Sequence, residues 1–112
     1  MTQYNHLLPD SPAHFINGHW VKSAQHDEVL NPATGKIISL VAKGDKDVVD
    51  KAVQAAVKAQ KAWARKPQPE RATFLEAWIE QIKQNHEALA TLLTTEQGKP
   101  LSESRGEVDM AI

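Results

Sequence analysis

Five histidines, at positions 6, 14, 19, 26 and 86, are the side chains best suited to bind a metal or move a proton. Their spacing forms no local metal pair. The run His86-Glu87-Ala88-Leu89-Ala90 lacks the second histidine that a zinc-protease helix requires. All five are expected at the solvated surface or beside helix ends. Ser102 and Ser104 have no histidine nearby in sequence to activate them, and they read as helix-surface serines. Carboxylates gather late, at Glu96, Glu103, Glu107 and Asp109. Glu103 and Glu107 share a helix face at four-residue spacing, which reads as solvated charge. Gly98-Lys99-Pro100 sets a lysine beside a helix start, but a helix C-cap followed by a restart explains it better than a phosphate site. The chain has no GxGxxG, no Gly-Lys-Ser/Thr loop and no GxSxG elbow. It also has no cysteine, which removes disulfides, thiolate metal sites and any thiol nucleophile. Composition and spacing alone therefore give no active site.

The elements that could position such groups must fit in 112 residues, of which 41% are hydrophobic and 24% charged. That length allows one compact domain and excludes a large enzyme with a deep interior cleft. A net charge of −1 argues against a nucleic-acid binder that relies on a basic surface. Charge is divided unevenly, with +3 over residues 1–66 and −4 over residues 67–112. Much of this lies on one helix, where Asp45, Asp47 and Asp50 come early and Lys58, Lys61, Arg65 and Lys66 come late. This order complements the helix macrodipole. No stretch approaches the roughly 20 apolar residues of a membrane span. The start, MTQYNHLLPDSP, has no basic n-region, so it does not read as a secretory signal, and the expected location is cytoplasmic.

Residues 1–14 carry two prolines and no periodicity and are expected to form a loose arm. Asn17-Gly18, between Phe15-Ile16 and Trp20-Val21, predicts a hairpin turn. Glu28-Val29-Leu30 and Lys36 to Ala42 read as further strands, joined by the turn Asn31-Pro32-Ala33-Thr34-Gly35. A β ribbon or meander is thus expected over 15–43. Helices follow over 45–112. Asp45 is the expected N-cap of the first, whose stripe is Val49, Ala52, Val53, Ala56, Ala59 or Gln60, and Trp63. Pro67 stops it, and Pro69-Glu70 opens a second helix with Leu75, Trp78, Ile79 and Ile82 on its apolar face. Asn85 is the expected cap of a third, with Leu89, Leu92 and Leu93 inward and Gly98 beyond its end. Leu101, Val108, Ala111 and Ile112 mark a fourth helix, which is expected to stop in mid-element at the last residue. Trp20, Trp63 and Trp78 are expected to be core or interface anchors.

Several strings, taken together, resemble the start of an NAD(P)-dependent aldehyde dehydrogenase. They are Val29-Leu30-Asn31-Pro32-Ala33-Thr34-Gly35-Lys36-Ile37-Ile38, the Gly44-Asp45 step into an Ala-rich helix ending near Trp63, and Pro69-Glu70-Arg71-Ala72. Thr94-Thr95-Glu96-Gln97-Gly98-Lys99-Pro100-Leu101, with Ser102-Glu103-Ser104-Arg105-Gly106-Glu107-Val108 after it, is similar to succinate-semialdehyde dehydrogenases in particular. The likeness runs in order through 15–112. It implies an oxidoreductase that converts an aldehyde, succinate semialdehyde by this block, to the carboxylic acid with NAD or NADP. A cysteine thiolate adds to the aldehyde, hydride passes to the nicotinamide, and a glutamate-activated water hydrolyses the thioester.

The family's chain is several times longer, and its catalytic residues and dinucleotide loop lie beyond position 112. The resemblance therefore implies no catalytic or cofactor-binding residue here, no NAD or NADP bound to this chain alone, and no activity in isolation. It makes 15–112 the N-terminal part of an incomplete dinucleotide-binding domain. The intact fold is α/β; this chain alone is expected to be mainly α, a small antiparallel β ribbon followed by about four helices. Two lesser sites carry over. One is a monovalent cation held by the Leu30 carbonyl and the Glu96 side chain; the other is a substrate-tunnel mouth near Glu107 and Ala111. Expected partners are a small-molecule aldehyde and the remainder of the same enzyme, a homo-oligomer when intact, with no nucleic acid and no membrane. Two other readings stay open: a free-standing small helical interaction protein, and an inactive truncated relative that joins an enzyme oligomer.

Overall fold

Asn17 and Gly18 both adopt positive φ, +53° and +78°, the backbone a two-residue hairpin needs to match right-handed strand twist. They join β1 (Ala13–Ile16) to β2 (His19–Lys22), antiparallel, with Phe15 opposite Trp20. The computed structural model describes residues 3–112. The first two residues of the expected arm lie outside that range. The rest of the arm holds a 3-10 turn at Asn5–Leu7, a buried Tyr4 and the opening residues of β1.

β3 (His26–Leu30) pairs antiparallel with β4 (Ile37–Ala42), with an irregularity between Val29 and Leu30. Their turn is closed by its own polar groups. Asn31 Oδ1 accepts from the Ala33 N–H at 2.8 Å, and the Asn31 carbonyl accepts from the Gly35 N–H at 2.8 Å. The expected ribbon is therefore two separate two-stranded sheets, β1-β2 and β3-β4. Strands this short reach no further because Ser23 and Gln25 turn the chain between them, Ser23 Oγ donating to the Gln25 carbonyl at 2.6 Å.

Four helices follow, as the periodicity predicts: α1 (Lys46–Trp63), α2 (Gln68–Gln84), α3 (His86–Gln97) and α4 (Leu101–Met110). Asp45 caps α1, its Oδ1 accepting from the Val48 N–H at 2.9 Å. α1 lies against β1, with Gly44, at its start, beside the His14 ring. Its valine stripe is not covered; Val53 is 55% exposed. The second stripe behaves the same way, with Leu75 51% and Trp78 65% exposed on α2. Trp20 is also 65% exposed, stacked edge-on against Phe15. Of the three tryptophans only Trp63 is largely covered, meeting Phe74 edge-on at 5.6 Å.

Asn85 is the N-cap residue of α3, as expected, its carbonyl accepting from the Leu89 N–H at 2.9 Å. Its side chain makes no cap to α3; Nδ2 donates back to the Gln81 carbonyl at 2.9 Å, closing the end of α2 instead. Among the helices the closest packing is between α3 and α4, where Ala90, Ser104 and Val108 are buried. Small side chains at the contact let the helix axes approach closely. Gly98 makes the reversal between them with φ +73°, and a Cβ there would lie 3.1 Å from Pro32 Cγ.

That geometry predicts opposite outcomes for two glycines. Gly98→Ala places a side chain in the left-handed region and against Pro32, and should cost about 1–2 kcal/mol. Gly106→Ala adds a Cβ with nothing within 4 Å in the middle of α4, and should add about 0.5–1 kcal/mol. Urea unfolding of both variants checks the signs.

Candidate functional site

The α3–α4 hairpin is cross-linked along its length by polar side chains, and these fix the residues that the sequence singles out. Thr94 Oγ1 and Ser104 Oγ lie 2.8 Å apart. Ser104 is fully buried, so its reading as a surface serine is corrected: it is a satisfied interior hydroxyl between helices. The Arg105 fork meets Glu87, Nε donating to Oε2 at 3.0 Å and Nη2 to Oε1 at 2.6 Å. His86 Nε2 lies 2.8 Å from Asp109 Oδ1. Lys99 Nζ donates to Glu107 Oε1, so Glu107 is a partnered carboxylate and not a freely solvated one.

That last bond also decides the Gly98-Lys99 step. The lysine is engaged by Glu107, and Pro32 fills the open side of Gly98. No cradle for a phosphate remains there, and a helix C-cap and restart describe the segment. The residues present do not fit a dinucleotide pyrophosphate.

Beside this hairpin lies an open apolar groove of about 490 Å³. Trp78 and Ile82 of α2, Leu89, Leu92 and Leu93 of α3, and Val108 and Ala111 at the end of the chain form its walls. Glu96 and Glu107 bring it two carboxylates. The structure thus gathers Glu96, Glu107 and Ala111 around one space. Leu30 is not part of it. Yet Pro32 touches Gly98, so Leu30 and Glu96 each stand two residues before one contact between the β3–β4 turn and the end of α3. Among the described residues no three His, Asp or Glu side chains converge as a metal cluster.

The sequence marks the leucines of α3 as inward and gives α2 an apolar face. Their periodicity is real, but Leu89, Leu92, Leu93, Trp78 and Ile82 are groove walls. Periodicity reports which face is apolar and not what covers it.

The family model described as "Aldehyde dehydrogenase family" matches residues 20–112. This chain belongs to the aldehyde dehydrogenase family. A malonate-semialdehyde dehydrogenase of Bacillus thuringiensis is 42% identical over 99 residues, covering 87% of this chain and 20% of its own. A 3,6-anhydro-α-L-galactose dehydrogenase of Streptomyces coelicolor is 40% identical over 107 residues, 94% of this chain and 22% of its own. The crystal structure of a succinate-semialdehyde dehydrogenase from Burkholderia pseudomallei superposes with a TM-score of 0.85 at 37% identity, over 94% of this chain and 22% of that one. This aldehyde dehydrogenase family chain therefore spans about a fifth of the length of the curated relatives it matches. No substrate-specific relative stands apart from the others. The expected family holds; the expected succinate-semialdehyde type is not singled out.

The Glu87–Arg105 fork sets a pH response for this hairpin. Arg105 bonded to Glu87, more than its charge alone, holds the Glu87 carboxyl below its ordinary value of 4.5. The same bond raises Arg105. With the native value below the unfolded one, the unfolded chain binds more protons in acid. The contribution is complete above about pH 4.5 and is lost as pH falls through the lowered value. Urea midpoints measured down the acid side should fall in that window, and Glu87→Gln should remove that part of the slope. An identical slope in the variant contradicts the assignment.

Proposed function

We propose that this chain is the leading part of an NAD(P)-dependent oxidoreductase that converts an aldehyde to its carboxylic acid. The observation that carries the reading is the match to the aldehyde dehydrogenase family through residues 20–112, in a chain without cysteine. Residues 15–112 serve as the start of the dinucleotide-binding domain, with 1–14 as a leading arm. The nucleophile and the cofactor's binding loop belong to the polypeptide corresponding to the other four fifths of the relatives. When bound, the nicotinamide is the hydride acceptor; this chain's residues take no part in that transfer.

Succinate semialdehyde is the proposed aldehyde, supported by the Thr94–Val108 block and by the likeness to the Burkholderia pseudomallei enzyme. Glu107 and Ala111 would stand at the mouth of the substrate path, the apolar groove beside them giving the aldehyde a dry approach. The Leu30 carbonyl and the Glu96 carboxylate are the two oxygen donors this segment would lend to a monovalent cation. The working enzyme is a cytoplasmic homo-oligomer. No helix among the described residues is long and apolar enough to cross a membrane.

Two assays test this. The 112-residue chain, free of host enzyme, should produce no reduced nicotinamide from succinate semialdehyde with either NAD or NADP. A fusion in which it replaces the matching first fifth of the Burkholderia pseudomallei enzyme should be active. Turnover by the chain alone, or a folded but inactive fusion, would falsify the proposal.

A further inference from the structure

Two carboxylates border the apolar groove, Glu96 and Glu107, and only one of them has a base of this chain beside it. Lys99 stands directly after the Gly98 reversal and reaches forward eight residues to donate to Glu107 Oε1. Its side chain is 20% exposed, against 46% for Arg105 in the Glu87 pair, so water screens the lysine less. The other cross-links of the hairpin, Glu87–Arg105 and His86–Asp109, include neither groove carboxylate. Among the described residues Lys99 is thus the one base paired with a carboxylate of the groove. Apolar walls lengthen the reach of any charge left beside them, because little water is there to damp its field. A bare Glu107 would repel an anion at this rim; the paired one is close to neutral.

We propose that Lys99 is a specificity-determining residue: by neutralising Glu107 it opens this rim to aldehydes that carry a carboxylate of their own. Lys99 acts through Glu107 and touches neither the reacting carbon nor the nicotinamide. Its effect falls on the approach of the substrate, and so on KM. A lysine that merely stapled the Gly98 turn to α4 would support every aldehyde alike, whereas a neutralising lysine separates charged aldehydes from uncharged ones. The inference rests on the proposed function, since it takes Glu107 at the mouth of the substrate path.

Lys99→Met in the fusion described above tests it, with succinate semialdehyde set against butanal, an uncharged aldehyde of the same chain length. The ratio of kcat/KM for the two should swing about tenfold toward butanal, the change lying in KM for succinate semialdehyde. Raised ionic strength should narrow that swing. Lys99→Arg, which keeps the charge, should hold most of the ratio. Glu107→Gln added to Lys99→Met should restore it, because no bare carboxylate is left at the rim. An equal loss on both aldehydes makes the pair a staple of the turn and overturns the inference, as does an unaltered ratio; either result in an active fusion leaves the proposed function standing. A folded fusion that oxidises neither aldehyde defeats the proposed function, and the inference is then read from calorimetric titration with succinate. The Lys99→Met fusion should bind succinate about tenfold more weakly than its parent, with recovery in the double variant. Equal binding, or none to the parent, overturns the inference.

Discussion

The left-handed turn at Gly98 is the constraint on which the ordered part of this chain depends. With φ at +73°, it reverses the backbone within three residues, and α4 runs back along α3. Only that reversal sets Thr94 against Ser104, Glu87 against Arg105 and His86 against Asp109 in antiparallel order. It also presents a bare Cα to Pro32, which ties the β3–β4 turn to the helical hairpin. A side chain at this position would oppose both relations at once. The Asn-Pro-Ala-Thr-Gly turn and the Glu-Gln-Gly-Lys-Pro run, far apart in sequence, are thus two halves of one contact.

The other helices are organised differently. α1 and α2 are well formed and apolar along one side, but little rests on them. A large apolar side chain left in water forgoes about 1.5–3 kcal/mol of burial, and Val53, Leu75 and Trp78 are all more than half exposed. The Cα radius of gyration is 16.6 Å, against about 13 Å for a compact chain of this length. Apolar area left in water calls for a complement, and the relatives this chain matches are about five times as long.

Local chemistry was the legible part of the sequence. Asn17-Gly18, Asp45, Pro67 and Gly98 each force or forbid a backbone state within a few residues, and the structure places a turn, a cap or a helix boundary at each. The burial of the elements was not legible. Leu89, Leu92 and Leu93 have the period of a core face and are groove walls, because a 3.6-residue period says nothing about the neighbour across from it. Ser104 looked like a surface serine because its partner, Thr94, is on another helix. Asn85 caps α3 through its backbone alone, because an asparagine between two helices can serve either one and here its side-chain amide faces the earlier. The family resemblance sets Glu96 with Leu30 and Glu107 with Ala111; that Glu96, Glu107 and Ala111 line one groove is not legible in the sequence, because no spacing rule spans the Gly98 turn.

The central claim is that cohesion is concentrated in the α3–α4 hairpin while α1 and α2 leave their apolar faces open. Amide hydrogen exchange of the chain in solution measures this residue by residue. The account predicts the slowest exchange around Ala90, Ser104 and Val108, with α1 and α2 exchanging much faster despite being equally helical. Protection of equal depth across all four helices would mean that the chain is a self-sufficient cooperative unit, and would contradict it.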